Sequence, residues 1–490
     1  LVRRPSFLAV FLAVAAPVLG QSSPEEQARR LLEDGRAYRS EGKAKQALDN
    51  FNTIVTGFPG TDSVDDALLE IGRHHLDVEG DDEKARQAFE QVAKRFPQSD
   101  GAPGAYYYLG RLTLTRAKTA AELEDALAQF TRVQRLYPGS EWVPSALHAS
   151  GLAHRKAGRL AEAVESARRV SMEYPTSEAA AAAQFGVGEG LALLGDPRQA
   201  MEEFQQVRNR FPRSEWASRA LERITALYRL HGTGKPTFSL DPSYAAGSGD
   251  VLKDVRAILM TPAGTLWLAS EKVKSAVPVG PDGKLGPGLS AEEVRGLSLA
   301  PGGEVVVAAK TAVRVGSRDI RTFTVPADKP GATEPVDKIS AALLTASGGL
   351  LVADEERKQV HRYDATRGYQ APFPDDRERE VIRMAVDSEG GVVLLDRADR
   401  SVRVFDETGR ALRALGPRSD MRKPVDVAVD AFQNMYVADE EAGVLVFSPQ
   451  GQLLTRVGAE DLRKPTAVTV DPAGAVLVYD DKAERVLRFQ

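Results

Sequence analysis

The sequence predicts a multidomain protein, an all-α solenoid of helical hairpins followed by an all-β six-bladed propeller. Three observations point there: an aromatic-Pro dipeptide that recurs five times in the first half, a turn-and-strand unit that recurs six times in the second, and a breaker run, Gly232-Thr-Gly-Lys-Pro236, between them. At 490 residues the chain is too long for one core, so two or more domains are expected. The expected boundaries are 1–20 for an export signal, 21–230 for the helical array, 231–235 for a linker and 236–490 for the propeller.

The first segment reads as a secretory signal. Arg3 and Arg4 precede an apolar stretch from Phe7 to Leu19, and Val18 and Gly20 supply the small-residue positions before a cut at Gln21. That stretch is too short for a bilayer, which takes about 20 residues. The expected location is therefore periplasmic or extracellular, with no transmembrane anchor. The chain has no cysteine, which removes the lipidated form of export signal, disulfides, thiolate metal sites and thiol nucleophiles. Formal net charge is −5, and −7 once Arg3 and Arg4 are removed (62 − 69), so no nucleic-acid partner is expected.

The helical half is written in its dipeptides: Phe58-Pro59, Phe96-Pro97, Tyr137-Pro138, Tyr174-Pro175 and Phe211-Pro212. Twelve residues before each proline stands Ala47, Ala85, Ala126, Ala163 or Ala200, and eight before it Phe51, Phe89, Phe130, Ala167 or Phe204. Positions four apart share a helical face, where a small residue admits the neighbouring helix and a ring fills the gap. Each proline ends its helix, because it lacks the N–H and disfavours a helical residue before it. Gly35, Gly72, Gly110, Gly151 and Gly188 mark where the two helices of a hairpin cross closely, Gly72 one residue out of register and Gly110 before a longer turn. Gly42, Gly80, Gly158 and Gly195 mark the turns inside hairpins. Trp216 to Leu230 forms a closing helix over the end of the stack.

The propeller half repeats on Gly264, Gly303, Gly349, Gly391, Asn434 and Gly474, each opening a short apolar strand, at intervals of 39, 46, 42, 43 and 40 residues. In the last four units that strand ends in Asp354, Asp396, Asp439 or Asp480, and the next ends in Tyr363, Phe405, Phe447 or Phe489. The chain ends just after the third strand of the sixth unit, leaving an edge that Pro236-Thr-Phe-Ser-Leu240 is placed to cover.

The aromatic-Pro, Ala and Phe pattern resembles the tetratricopeptide repeat (TPR), in a long-loop form like that of outer-membrane-assembly and cell-division-coordinator proteins of bacterial envelopes. Its spacing here is 38, 41, 37 and 37 residues. The second half resembles the NHL repeat, as in Pro424-Val-Asp-Val-Ala-Val-Asp430 with Tyr436-Val-Ala-Asp439. The resemblance implies five hairpins and a protein-binding scaffold of the cell envelope.

Chemistry has few candidates. The strand-end aspartates read either as metal ligands or as acceptors for turn amides in their own blades, and their recurrence favours the turns. Six-bladed propellers also host lactonases and lyases, so a propeller enzyme with TPRs for recruitment is the alternative. Such enzymes gather carboxylates, amides or histidines at the centre. The second half holds only His361, expected on a solvent-facing strand position, so no catalytic residue, metal or cofactor is assigned. His74 and His75 diverge on a helix, and His154 reads as core. In a TPR array the position after the hairpin glycine faces the concave groove; here it is Arg36, Arg73 and Arg111, with Arg39 and Arg155 a turn further on and His148 facing the same groove. These six form the candidate site, and stacked arginines suit an acidic protein or peptide partner through paired N–H···O contacts.

Overall fold

In the computed structural model, residues 22–490 are described apart from 235, 237, 322, 328–330, 376 and 417–418. The proposed export signal lies outside them. Among the described residues there are eleven α-helices, followed by antiparallel sheets arranged as a six-bladed propeller. The helices are α1 (Pro24–Ser40), α2 (Ala44–Gly57), α3 (Ser63–His74), α4 (Asp82–Arg95), α5 (Ala102–Arg116), α6 (Ala120–Leu136), α7 (Val143–Lys156), α8 (Leu160–Glu173), α9 (Ala180–Leu193), α10 (Pro197–Arg210) and α11 (Glu215–His231). Two compact units divide between Ala157 and Gly158, so the second unit contains α8–α11 together with the propeller.

In the first unit each small-plus-ring pair does what its spacing requires. A Cβ on Gly35 would lie 2.4 Å from the Phe51 ring, one on Gly72 2.4 Å from Phe89, and one on Gly110 2.5 Å from Phe130. Any side chain at these glycines would therefore force the hairpin open. Ala47, Phe51, Ala85 and Phe89 join one buried core with Val64, Leu68, Val92 and Tyr108. The misregister of Gly72 has a structural cause. The α3 helix runs into one π turn, His75–Glu79, which takes up one extra residue before Gly80 ends it at φ +66°. The longer third turn is closed by Thr119, whose hydroxyl accepts from Glu122 N while the Glu122 carboxylate accepts from Thr119 N.

In the second unit the same device recurs between Gly188 and Phe204, at 2.7 Å. The propeller sheets each run outward from an innermost strand: Val255–Met260, Val294–Leu299, Ile339–Leu344, Val381–Val386, Pro424–Val429 and Pro465–Val470. These six neighbour one another in a closed ring. The sixth sheet has three regular strands, and the chain segment before the first blade completes it. Leu240 bridges Phe489 antiparallel, and Ser239 and Gln490 exchange both backbone hydrogen bonds at 2.9 Å. The edge left by the last strand is thereby paired.

Three details differ from expectation. In blades three to five the left-handed turn residue is Gly348, Gly390 and Gln433, one before the positions read from sequence. The long interval between the second and third units holds an additional hairpin, Thr324–Pro326 with Thr333–Pro335. His361 is not solvent-facing; it is 1% exposed beside Asp354, because an outer strand, Tyr369–Phe373, and the Tyr369 ring cover it.

Candidate functional site

The arginine cluster starts from a residue that sequence reasoning did not single out. Glu70, on α3, is 2% exposed, and three guanidiniums close on it. Arg36 Nε lies 3.2 Å from Oε1, Arg73 Nη1 3.5 Å from Oε1, and Arg39 Nη1 contacts Oε2. Arg36 also reaches Asp66 at 3.1 Å. Helix geometry explains the convergence. Arg36 and Arg39 are three apart on α1, and Glu70 and Arg73 are three apart on the adjacent α3, so all four meet across one seam. The pairing is charge-assisted and anchored on a buried carboxylate, while the arginine side chains keep 27–44% exposure. Burial, then the nearby Arg73, holds Arg39 below the ordinary arginine range. Burial pushes the Asp66 carboxyl up against the opposing pull of Arg36.

These residues border a cavity of about 700 Å³ in the first unit, whose wall also carries Leu69, Asp100, Pro103, Tyr137 and Trp142. The cavity thus combines three cations, acids at Asp66, Glu70, Asp100 and Glu141, and an aromatic side. Asp65, Asp66 and Asp100 bring carboxylate oxygens close together, but Asp65 Oδ2 already accepts from Gly101 N at 3.1 Å.

Of the six residues expected in the groove, the structure gathers Arg36, Arg39 and Arg73. Arg111 stands apart, exposed, its guanidinium 5.7 Å from the Tyr107 ring and 5.5 Å from Tyr108. His148 and Arg155, both half-buried on α7, do not line the cavity. Burial lowers the His148 pKa and so favours its neutral form. Glu70 was missed because nothing in its spacing marks it: a lone Glu in an amphipathic helix reads as surface, and only the folded seam buries it.

A second cavity, about 870 Å³, occupies the propeller axis in the second unit. All six innermost strands and their following turns line it, with Arg219, Glu222, Arg223 and Ala226 of α11 across one end. Arg223 is held by Glu189 at 3.4 Å and lies 5.8 Å from the Phe432 ring. The carboxylates that the propeller contributes are each engaged. Asp426 accepts from Val427 N and Val468 N at 2.9 Å and faces Arg383 Nε at 3.2 Å. Asp387 and Asp471 cap their own turns and pair with Arg413 and Arg488. Asp430 takes Asn434 and the Tyr436 hydroxyl, and Glu407 accepts from Ala346 N. No histidine lines this cavity among the described residues.

The strand-end aspartates turn inward to their own blades. Asp354 accepts from Glu356 N and Arg357 N, Asp396 from Ala398 N, Asp439 from Glu441 N and Lys423 N, and Asp480 from Ala483 N and Lys464 N. Burial raises the Asp354 pKa, but His361 and Arg357 outweigh it and hold the group down at about 2.

Comparison with known proteins follows the two halves. Residues 62–230 match the family model described as YfiO, an outer membrane lipoprotein. A curated relative, protein brain tumor of Drosophila melanogaster, is 26% identical over 113 residues, covering 22% of this chain and 11% of that protein. The chain thus spans about a tenth of that relative. Among solved structures, a streptogramin B lyase is similar at 9% identity over 52% of this chain and 97% of that one, TM-score 0.38. A gluconolactonase of Xanthomonas campestris is similar at 14% identity over 49% and 87%, TM-score 0.37. A thermophilic TPR protein of Thermus thermophilus is similar at 18% identity over 40% and 98%, TM-score 0.32. The chain therefore joins a TPR-like helical region, matched over 62–230 by the outer membrane lipoprotein model, to a six-bladed β-propeller.

Proposed function

We propose that this protein is an exported binding scaffold of the cell envelope, with the groove around Arg36, Arg39 and Arg73 holding a peptide segment of a protein partner and the propeller presenting a second surface. The observation that carries the reading is the groove itself. It is about 700 Å³, has an aromatic flank at Tyr137 and Trp142, and keeps three guanidiniums oriented by one buried carboxylate. Because Glu70 fixes the arginines in place, a ligand carboxylate meets donors that have already lost their rotamer freedom, which lowers the cost of binding. The wall's four carboxylates, Asp66, Glu70, Asp100 and Glu141, outnumber its three guanidiniums, so the segment that fits carries at most one acidic group, beside an apolar neighbour, rather than an acidic run. The match of residues 62–230 to an envelope lipoprotein family supports the location. Binding rather than catalysis is favoured by the channel, where each acid of the propeller is already committed to an amide, hydroxyl or arginine.

A photoactivatable residue in place of Glu141, exposed at the groove, should crosslink an envelope protein in cells. The same residue in place of Lys45, exposed on α2, should not. Equal crosslinking from both positions would remove the groove as the binding face.

A further inference from the structure

The axial cavity has walls whose chemistry narrows what it can hold. Its volume, about 870 Å³, lies within the roughly 300–1,000 Å³ of small-molecule sites. Leu259, Leu297, Leu299, Leu344, Val429 and Val470, from five of the six blades, line it and remain only partly buried. Two wall hydroxyls are already engaged. Ser298 Oγ donates to Ala342 O at 2.7 Å, and Thr469 Oγ1 accepts from Met260 N at 2.9 Å. Asp426 and Arg383 neutralise each other across neighbouring blades, and a second Arg383 nitrogen donates to the Arg256 carbonyl on the first blade. The cavity is therefore ringed by aliphatic surface open to solvent, with the propeller's own acids engaged and Arg219 and Glu222 of α11 at one end.

We propose that this cavity is a binding site for a small, uncharged, predominantly apolar molecule. Two features favour this occupant. Along the ring of strands a charged ligand would give up its hydration without gaining a free counter-charge, because the propeller's acids there are already engaged. Water left against the aliphatic ring gains little, whereas an apolar molecule removes that surface from water at about 25 cal/mol per Å². The α11 helix bounds the site at the end where the innermost strands run out, with Ala226 against Gly474 and Arg223 fixed by Glu189 and Phe432. The ligand thus touches both the propeller and the last helix of the array. This site is separate from the arginine groove and stands or falls independently of it.

Two fluorescent probes with related aromatic bodies test the class of ligand on the full-length chain. N-phenyl-1-naphthylamine is neutral, and 1-anilinonaphthalene-8-sulfonate carries a sulfonate. The neutral probe should bind saturably at one site per chain, and the sulfonate at least tenfold more weakly. Ala385→Phe and Ala428→Phe, on two different blades, each fill the cavity and should each weaken the neutral probe at least tenfold with an unchanged far-UV spectrum. Hydrogen exchange on the unmodified chain supplies a reading that needs no variant: the neutral probe should slow amides of the innermost strands. No saturable binding, equal affinity for the two probes, undiminished binding in the filled variants, or protection confined to regions outside the innermost strands would each overturn the proposal.

Discussion

Asp426 shows how one residue carries both packing and charge in the propeller. Its carboxylate is buried, accepts two backbone amides and faces Arg383, yet burial dominates and raises its pKa to about 6. An acid whose folded pKa lies above its unfolded value of about 3.9 binds a proton more tightly when folded, so its contribution is present at low pH and lost as pH rises toward 6. The two-unit shift corresponds to roughly 2–3 kcal/mol. Wild type should therefore lose about 2 kcal/mol of that between pH 4.5 and 7 relative to Asp426→Asn, read as the change in urea midpoint at each pH; parallel profiles would contradict it. The residues legible from sequence were those tied to spacing: Gly35, Gly72, Gly110 and Gly188 each stand at a close helix crossing, against the rings of Phe51, Phe89, Phe130 and Phe204. Glu70 and Asp426 were not legible, because a buried acid is defined by neighbours distant in sequence, Arg36 and Arg39 for one and Arg383 for the other.

The element that sequence reasoning placed but did not understand is α11. It was expected to cap the helical stack, and within the second unit it also packs on the propeller. Leu230 enters the core with Tyr436, Val446 and Phe489, and a Cβ on Gly474 would lie 2.8 Å from Ala226 Cα. Local composition at 231–235 marks a change of secondary structure, not where surfaces meet. Gly303 and Gly474 occupy the same turn position at φ +82° and +78°, but nothing lies within 4 Å of a Cβ at Gly303. Both alanine variants pay the left-handed penalty of about 1–2 kcal/mol. Gly474→Ala should cost a further ~1–3 kcal/mol from the clash with α11. Equal denaturation midpoints for the two variants would show that α11 does not rest on that blade in solution.

At the scale of the whole molecule, repetition made the fold readable: five aromatic-Pro turns and six turn-strand units set the hairpins and blades, and pairing of Ser239 and Leu240 with Gln490 and Phe489 closes the ring as expected. The candidate site was less readable because it forms at the seam between hairpins. There, Arg36, Arg39 and Arg73 converge while Arg111 stays apart on its tyrosines. The scaffold reading is tested most directly by the affinity of the full-length chain for the partner segment identified by crosslinking at the groove, measured at two salt concentrations. Arg39→Ala with Arg73→Ala should weaken binding at least tenfold and flatten its salt dependence, since charge-assisted contacts are worth about 1.5–3 kcal/mol each. Glu70→Gln should weaken binding of a carboxylate-bearing segment, because the arginines lose the buried acid that holds them in place. Unchanged affinity in the double arginine variant, with its helical spectrum intact, would contradict the groove as the site of partner binding.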